Sequence, residues 1–425
     1  MRQSPPSLSA LQVSAVPFSL LDNDLYKFGM QQAVLKVYPQ AVVSYEFKNR
    51  KPADFQFSAE TVELLSRQLE NLKLSKEEAS WLKSACPYFS ESYIEYLKSF
   101  RFNPDKHVDL IYSPETKEVH ITITGNWSDT ILYEVPLLAL VSESYYDRQD
   151  KDWNHDLALQ SDAAFEKGKR LIQGGCCFSE FGTRRRRNAA TQEVVVAALL
   201  RASQCTNGTN GRPGRELFSG TSNVYLAKKY DLTPIGTVAH EWTMAVSGLE
   251  PDLLHANKHA MEKWLQAYPS DFLIMLCDTF GTPAFLNDFS RELADKFLGV
   301  RQDSGNPEIF VDRIVKKYQE LLIDTSTKVL VFSDSLTVEK ALSLQAYVDS
   351  PAGGGIQAKQ YGIGTYLTND FTKQSRPEEK SPAVNIVIKL LVADGANVVK
   401  LSDDPGKHQG DTVAIAWAKK VFGME

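Results

Sequence analysis

One histidine, three aspartates, a run of four arginines and a late pair of glycines stand where short apolar runs end. His240 closes Ile235-Gly-Thr-Val-Ala-His240, and a helical stretch begins at once with Glu241. An imidazole so placed is either an ordinary helix-start histidine or a reactive group delivered to the rim of an α/β sheet or barrel. It does not begin a zinc motif, because Met244 stands where His-Glu-x-x-His needs its second histidine. Arg184 opens Arg184–Arg187 directly after Gly182-Thr183. Guanidinium forks match carboxylate and phosphate oxygens two at a time, although Arg185–Arg187 read more simply as a solvated basic face. Gly362-Ile-Gly364-Thr365 and the weaker Gly353-Gly-Gly355 offer backbone N–H groups that a phosphate can approach closely. Asp278, Asp303 and Asp334 sit at three different endings, where carboxylates hold Mg²⁺, meet sugar hydroxyls, orient a histidine or merely cap helices. Together these groups suit a phosphorylated, anionic small molecule. Any use of ATP is not of the P-loop kind, since no Gly-x-x-x-x-Gly-Lys-Ser/Thr run exists. His255 and His259, four apart within Leu253–Trp264, read as a charged helix face rather than a metal pair.

The elements that must position these groups change character along the chain. Residues 1–17 read as a flexible arm. Leu20–Met30 suggests an acidic helix start with Leu25, Phe28 and Gln32 on one face and Tyr26 pointing elsewhere. Ala41-Val-Val-Ser-Tyr-Glu-Phe-Lys48 alternates like a half-buried strand, residues 59–100 are helix-rich around Leu64, Leu65, Leu69 and Leu72, and Val108–Tyr112 with Glu118–Thr124 predict an antiparallel pair. After apolar helices at Leu132–Tyr146 and Ala163–Ile172, strands alternate with helices (Thr191–Arg201, Leu253–Trp264, Pro307–Leu321, Thr337–Tyr347). Seven strand endings over this stretch suit a (β/α) barrel, complete or irregular, with its site at the C-terminal rim. Asn385–Val392 and Val398–Leu401 return to antiparallel character. The expected organisation is an α+β domain of residues 18–145 with 370–425, discontinuous in sequence, around a barrel of residues 146–369. The Cys205–Arg215 stretch is a polar excursion between two rim motifs.

Composition sets outer limits. The 425 residues are 43% hydrophobic and 24% charged, and 47 Lys+Arg against 53 Asp+Glu leave a net charge of −6. That balance argues against nucleic acid or an acidic membrane as the main partner. Cysteines 86, 176, 177, 205 and 277 lack metal-site spacing and read as reduced, and no apolar run is of membrane-spanning length. The expected location is the cytoplasm, with a nuclear share left open, and the sequons at Asn126 and Asn207 are then chance matches.

Seven stretches, taken in order, resemble the nicotinate phosphoribosyltransferase family, and the length and flavour are similar to its fungal members. They are Asp24-Leu-Tyr-Lys-Phe-Gly-Met30, Glu180-Phe-Gly-Thr-Arg-Arg-Arg186, Gly220-Thr-Ser-Asn-Val224, Gly236-Thr-Val-Ala-His-Glu241, Asp278-Thr-Phe-Gly281, Gly299-Val-Arg-Gln-Asp-Ser-Gly305 and Gly362-Ile-Gly-Thr365. The set spans residue 20 to the end and is far more specific than any one member.

The resemblance implies an irregular (β/α) barrel of type II phosphoribosyltransferase kind with a discontinuous α+β domain. It implies that nicotinate attacks the anomeric carbon of 5-phosphoribosyl 1-pyrophosphate, giving nicotinate mononucleotide and pyrophosphate, the first step of NAD synthesis from nicotinic acid. ATP hydrolysis, with Mg²⁺, would be coupled through a transient phosphohistidine, a ligase-class activity, and His240 matches that position. Tyr26 would stack on the pyridine ring with Phe181 as a second wall, and Thr237, Arg301 and Ser222 would complete the nicotinate site. Thr365, Gly362 and Gly364 would hold the ribose phosphate and Arg184 the pyrophosphate, with Asp303, Ser333 and Asp278 as further contacts to phosphoribosyl pyrophosphate or metal. The metal ligands are unassigned. A homodimer is expected of the family, with a site formed between domains or subunits. The nearest rival is nicotinamide phosphoribosyltransferase, which typically carries aspartate where this chain has Ser222; a carboxylate there would repel nicotinate. Quinolinate phosphoribosyltransferase, similar in fold, would not need His240. A non-catalytic barrel that only binds such ligands would require the rim motifs to be accidental.

Overall fold

The computed structural model describes residues 19–424 apart from residues 53, 60–64, 66 and 67. The expected arm of residues 1–17 and Leu64 lie outside the described residues.

Two sheets organise the chain. The first is antiparallel and draws on both ends of the sequence: β1 (Val42–Asn49), β2 (Val108–Ser113), β3 (Glu118–Asn126), and the late strands β12 (Ile386–Ala393) and β13 (Ala396–Asn397), in the order β13-β12-β1-β3-β2. Alternation along β1 sends Val43, Tyr45 and Phe47 inward, as a period of two requires. Its register against β12 runs from Val43 opposite Ala393 to Asn49 opposite Ile386, with an irregularity at Ser44/Tyr45. A small ribbon, β10 (Phe371–Thr372) and β11 (Lys380–Ser381), precedes the late strands.

The second sheet is parallel. It comprises β4 (Phe178–Glu180), β5 (Phe218–Thr221), β6 (Ile274–Leu276), β7 (Gly299–Gln302), β8 (Val329–Phe332) and β9 (Ala358–Ile363), ordered β5-β4-β9-β8-β7-β6. The first and last of these strands are neighbours, as in a barrel, and a single bridge from Thr221 to Pro234 prolongs the curve beyond β5. The residues leading to the Ile235–His240 ending contribute only that bridge. Pro234 has no N–H to give to a ladder, and among the described residues no ladder joins this run to β6, so the barrel is irregular here.

Helices cross over between the parallel strands, among them Ala189–Cys205, Pro307–Glu320 and Val338–Asp349. Pro307–Glu320 shows the local logic: Asn306 caps it by accepting from the N–H groups of Glu308 and Ile309, proline takes the first turn, and Phe310, Val311, Ile314, Val315 and Tyr318 form its buried stripe. Leu25–Val37 departs from the amphipathic expectation, because Leu25 through Val34 are all buried. It packs against Ala256–Ala267 and the Trp127–Tyr133 segment at once, which leaves its first turns no solvent face. His255, on the 3₁₀ turn preceding Ala256–Ala267, is hydrogen-bonded to Asp288 at 2.9 Å, so it is not paired with His259. All five cysteines are free, and among the described residues no helix is long and apolar enough to cross a membrane.

Candidate active site

The C-terminal ends of β4, β7, β8 and β9, with the extended run 235–239, face the antiparallel sheet across a cavity of about 670 Å³. Eleven of the thirteen residues expected at the site line it: Tyr26, Phe181, Arg184, Thr237, His240, Arg301, Asp303, Ser333, Gly362, Gly364 and Thr365. Tyr26 reaches the cavity from the helix Leu25–Val37 of the same chain.

One part of the cavity joins aromatic walls to a guanidinium. Tyr26 is nearly buried, and burial raises its phenol above the usual range. Its backbone passes so close to Gly236 that a Cβ there would lie 2.8 Å from the Tyr26 nitrogen, which explains the glycine of the Gly236-Thr237 pair. Phe181 is anchored by its N–H to the Ile363 carbonyl at 2.8 Å and lies against Gly362. Arg301, on β7, donates through Nη1 to the Thr237 hydroxyl, while its Nε is buried and has no hydrogen-bond partner. A buried, unpartnered N–H of a cation costs free energy unless an acceptor arrives.

His240 begins the helix His240–Leu249, and its side chain is held from both ring nitrogens. Nε2 lies 2.7 Å from Lys400 Nζ and 3.2 Å from Asp303 Oδ2, and Nδ1 lies 3.1 Å from the Thr279 hydroxyl. An Nε2 that accepts from the Lys400 ammonium leaves Nδ1–H to donate to Thr279. Burial, then the positive charge of Lys400, pushes the imidazole well below its usual pKa, so the ring is neutral at physiological pH. Asp303 goes the other way: although burial opposes it, the cations Arg301 and Lys400 beside it hold its carboxyl well below the usual range. Its Oδ1 accepts from the Ser333 hydroxyl at 2.8 Å.

Arg184 leans on Glu134 at 3.3 Å, with Gly362, Gly364 and Thr365 on the neighbouring strand end. The other three arginines depart from the solvated face expected of them. Arg186 is buried in ion pairs with Asp22 at 2.7 Å and Glu143 at 2.8 Å. Arg187 is buried over Tyr146, 3.8 Å from the ring centroid, and donates to Asn369 and Ser381. Arg185 is half-buried, lines the cavity and donates to the Ile386 carbonyl at 3.1 Å. Arginine pairs well in interiors because its planar fork finds several acceptors at once.

Two expected residues lie outside the cavity. Ser222 is fully buried outside its lining and donates to Asp24 Oδ1 at 2.8 Å, and Asp24 does not line the cavity either. Asp278 is fully buried behind His240, with Oδ1 4.0 Å from Nε2 and otherwise unpartnered, and burial raises its carboxyl to about 7. Gly353–Gly355 precede β9 and therefore lie at the opposite end of the strands from the rim. The Cys205–Arg215 excursion likewise precedes β5, and none of its residues lines the cavity. Lys389, Lys400, Lys407 and Glu134, which motif reading passed over, do line it. Lys407 meets Asp334 at 2.6 Å.

An α/β fold whose strand ends gather cations, a neutral histidine and an aromatic slot is that of an enzyme for anionic small molecules. The nicotinate phosphoribosyltransferase N-terminal domain matches residues 21–142, and the nicotinate phosphoribosyltransferase family itself matches residues 176–425. The chain belongs to the nicotinate phosphoribosyltransferase family, and its activity is that of the family. It is 47% identical to a Schizosaccharomyces pombe relative over 94% of this chain and 96% of the other. It is 40% identical to the Saccharomyces cerevisiae nicotinate phosphoribosyltransferase over 95% of each. A crystal structure from Saccharomyces cerevisiae superposes with a TM-score of 0.90 at 38% identity, covering 97% of this chain and 99% of that one. One from Porphyromonas gingivalis gives 0.85 at 33% identity, covering 95% and 99%.

Proposed function

We propose that this cavity joins nicotinate to 5-phosphoribosyl 1-pyrophosphate under the drive of ATP, with His240 as a transient phosphoacceptor. The observation that carries the reading is a neutral imidazole held between Lys400 and Thr279 on the same wall as Arg301 and Asp303. Tyr26 and Phe181 sandwich the pyridine ring. Arg301, whose guanidinium is steadied by Thr237, turns its charge toward the nicotinate carboxylate, and this favours the acid over nicotinamide. Gly362, Gly364 and Thr365 receive the ribose phosphate, Arg184 the pyrophosphate, and Asp303 and Ser333 the ribose hydroxyls. Ser222 and Asp278 act from behind, on Asp24 and His240. In this reading residues 18–145 with 370–425 roof the cavity and 146–369 floor it.

The transfer needs no covalent help. The pyridine nitrogen forms its bond to the anomeric carbon as the bond to pyrophosphate breaks, and the protein contributes position and charge. In the coupled half-reaction a ring nitrogen of His240 takes the terminal phosphoryl of ATP, releasing ADP, and water later cleaves that bond to give phosphate. The added negative charge changes the rim's affinity for its anions, and so biases binding states rather than the transfer itself. Among the described residues no group of three acidic, imidazole or thiol side chains makes a metal cage. Mg²⁺ needs only one or two carboxylates when it arrives on phosphates. Asp303 and Asp334 line the cavity and would hold it, and the ion would neutralise charge on the departing pyrophosphate. Reduced cysteines fit work in the cytoplasm.

The test is nicotinate mononucleotide formation with and without ATP, beside a parallel nicotinamide assay, with acid-labile label sought on His240. Product from the acid alone, raised by ATP, is the expected result. Turnover that ignores ATP, or a label that survives in His240→Ala, removes the phosphohistidine.

A further inference from the structure

Along the cavity wall, with one member behind it, runs a chain of four alternating charges. Glu241, the residue after His240, accepts through Oε1 from the Tyr45 hydroxyl at 2.6 Å and the Trp127 indole at 2.8 Å, and through Oε2 from Lys27 Nζ. The same ammonium meets Glu134 Oε2 at 2.6 Å, and Glu134 Oε1 meets Arg184 at 3.3 Å. Lys27 is completely buried and does not line the cavity, whereas Glu241, Glu134 and Arg184 do. Burial opposes the charge on Glu134, yet Lys27 and Arg184 hold its carboxyl down at about 2.

Buried ion pairs are a poor way to stabilise a fold, because desolvation offsets most of their attraction and apolar side chains of similar volume serve as well. Here the chain starts one residue from the imidazole and ends on the arginine that faces pyrophosphate. Resting on the phosphohistidine reading, we infer that Lys27 is a positioning residue that links His240 to Arg184, so that phosphorylation of His240 is felt at the pyrophosphate side. A phosphoryl group adds up to about two negative charges beside Asp303. The helix start that carries His240 also carries Glu241, and Glu241 cannot shift without Lys27, which among the described residues has ion pairs only with Glu241 and Glu134. Arg184 is then re-aimed through Glu134. The coupling needs no other contact between the two ends.

Lys27→Met cuts the chain in its middle at nearly constant side-chain length. The experiment compares phosphoribosyl pyrophosphate KM with and without ATP, product formed per ATP hydrolysed, and acid-labile label on His240. The variant is expected to take the label but to show the same KM in both conditions, with product per ATP down at least about fivefold, the scale of an ordinary coupling between sites. Lys27→Arg, which keeps the charge, is expected to restore part of the ATP effect. Should Lys27→Met fail to fold, Glu134→Gln severs the far end and is expected to give the same loss of the ATP effect on KM. A folded variant in which ATP still shifts KM as in wild type overturns the inference. So does one that loses label and transfer together, since that is a structural role. Absence of label on the wild-type protein strikes instead at the phosphohistidine itself.

Discussion

Replacing Arg301 by alanine should turn a strong preference for the acid into a weak one. The guanidinium lines the cavity and donates through Nη1 to Thr237, and its remaining donors are the ones a ligand carboxylate would meet. Hydrogen bonds to a charged group contribute about 1.5–3 kcal/mol each in net terms. Two parallel bonds from one fork, sharing the cost of desolvation, should contribute about 3 kcal/mol, a loss of about 150-fold in affinity. Nicotinamide, which presents no charge to Arg301, should lose little, so the acid/amide ratio of kcat/KM should fall by nearly the whole factor. The assay is initial-rate formation of both mononucleotides at saturating phosphoribosyl pyrophosphate and ATP. Arg301→Lys, with the charge but not the fork, should fall between the two. If kcat/KM for both substrates drops equally, Arg301 serves the site's general electrostatics and the carboxylate is held elsewhere.

Other outcomes follow from the same geometry. His240→Ala should abolish stimulation by ATP while leaving some ATP-independent transfer, read as nicotinate mononucleotide formed with and without ATP; persistent stimulation would exclude His240 as phosphoacceptor. Because the folded imidazole titrates below its usual value of about 6.5, its reactive neutral form persists as pH falls through that value and is lost only lower. Lys400→Met removes the repelling charge and should move that acid limb upward in kcat/KM profiles. An unmoved limb would mean burial alone sets the ring's pKa. Gly299→Ala should destabilise by about 1–3 kcal/mol in denaturant unfolding, since its Cβ would sit 2.0 Å from the Val329 carbonyl on the next strand. An unchanged midpoint would mean β7 and β8 can part without cost.

The rim was legible because barrel strands announce their ends. Phe181, Thr237, Arg301, Ser333 and Thr365 each follow an apolar run that stops in small or polar residues, and the ring of parallel strands brings those stops together. Pairing partners were not legible. Lys389 reads as a polar break in Ile386–Ala393, and nothing in that run marks it as a cavity residue. Val398–Leu401 was expected as a strand. It reduces to an edge at Ala396–Asn397 and a bridge from Lys400 to Gln409, which brings Lys400 to His240. Arg186 and Arg187 illustrate a different limit: a run of cations has no inward signal of its own, and the acceptors that bury them come from Asp22, Glu143, Asn369 and Ser381. The burial of Ser222 was hidden for a similar reason, because Asp24, which takes its hydroxyl, comes from another part of the chain.

The pairing of β1 with β12 also governs how the chain can be made. When β1 leaves the ribosome its partner β3 follows within about eighty residues, whereas β12 is more than three hundred residues behind. At about 5–20 residues per second, the wait is roughly twenty to seventy seconds. Throughout it one edge of β1 carries unpaired backbone groups, a template for pairing with another chain. Lys389, Lys400 and Lys407 arrive with the same late segment. A chain cut short before residue 386 therefore loses the shield on that edge and three cavity cations together, so nascent and truncated chains are the species most in need of a chaperone.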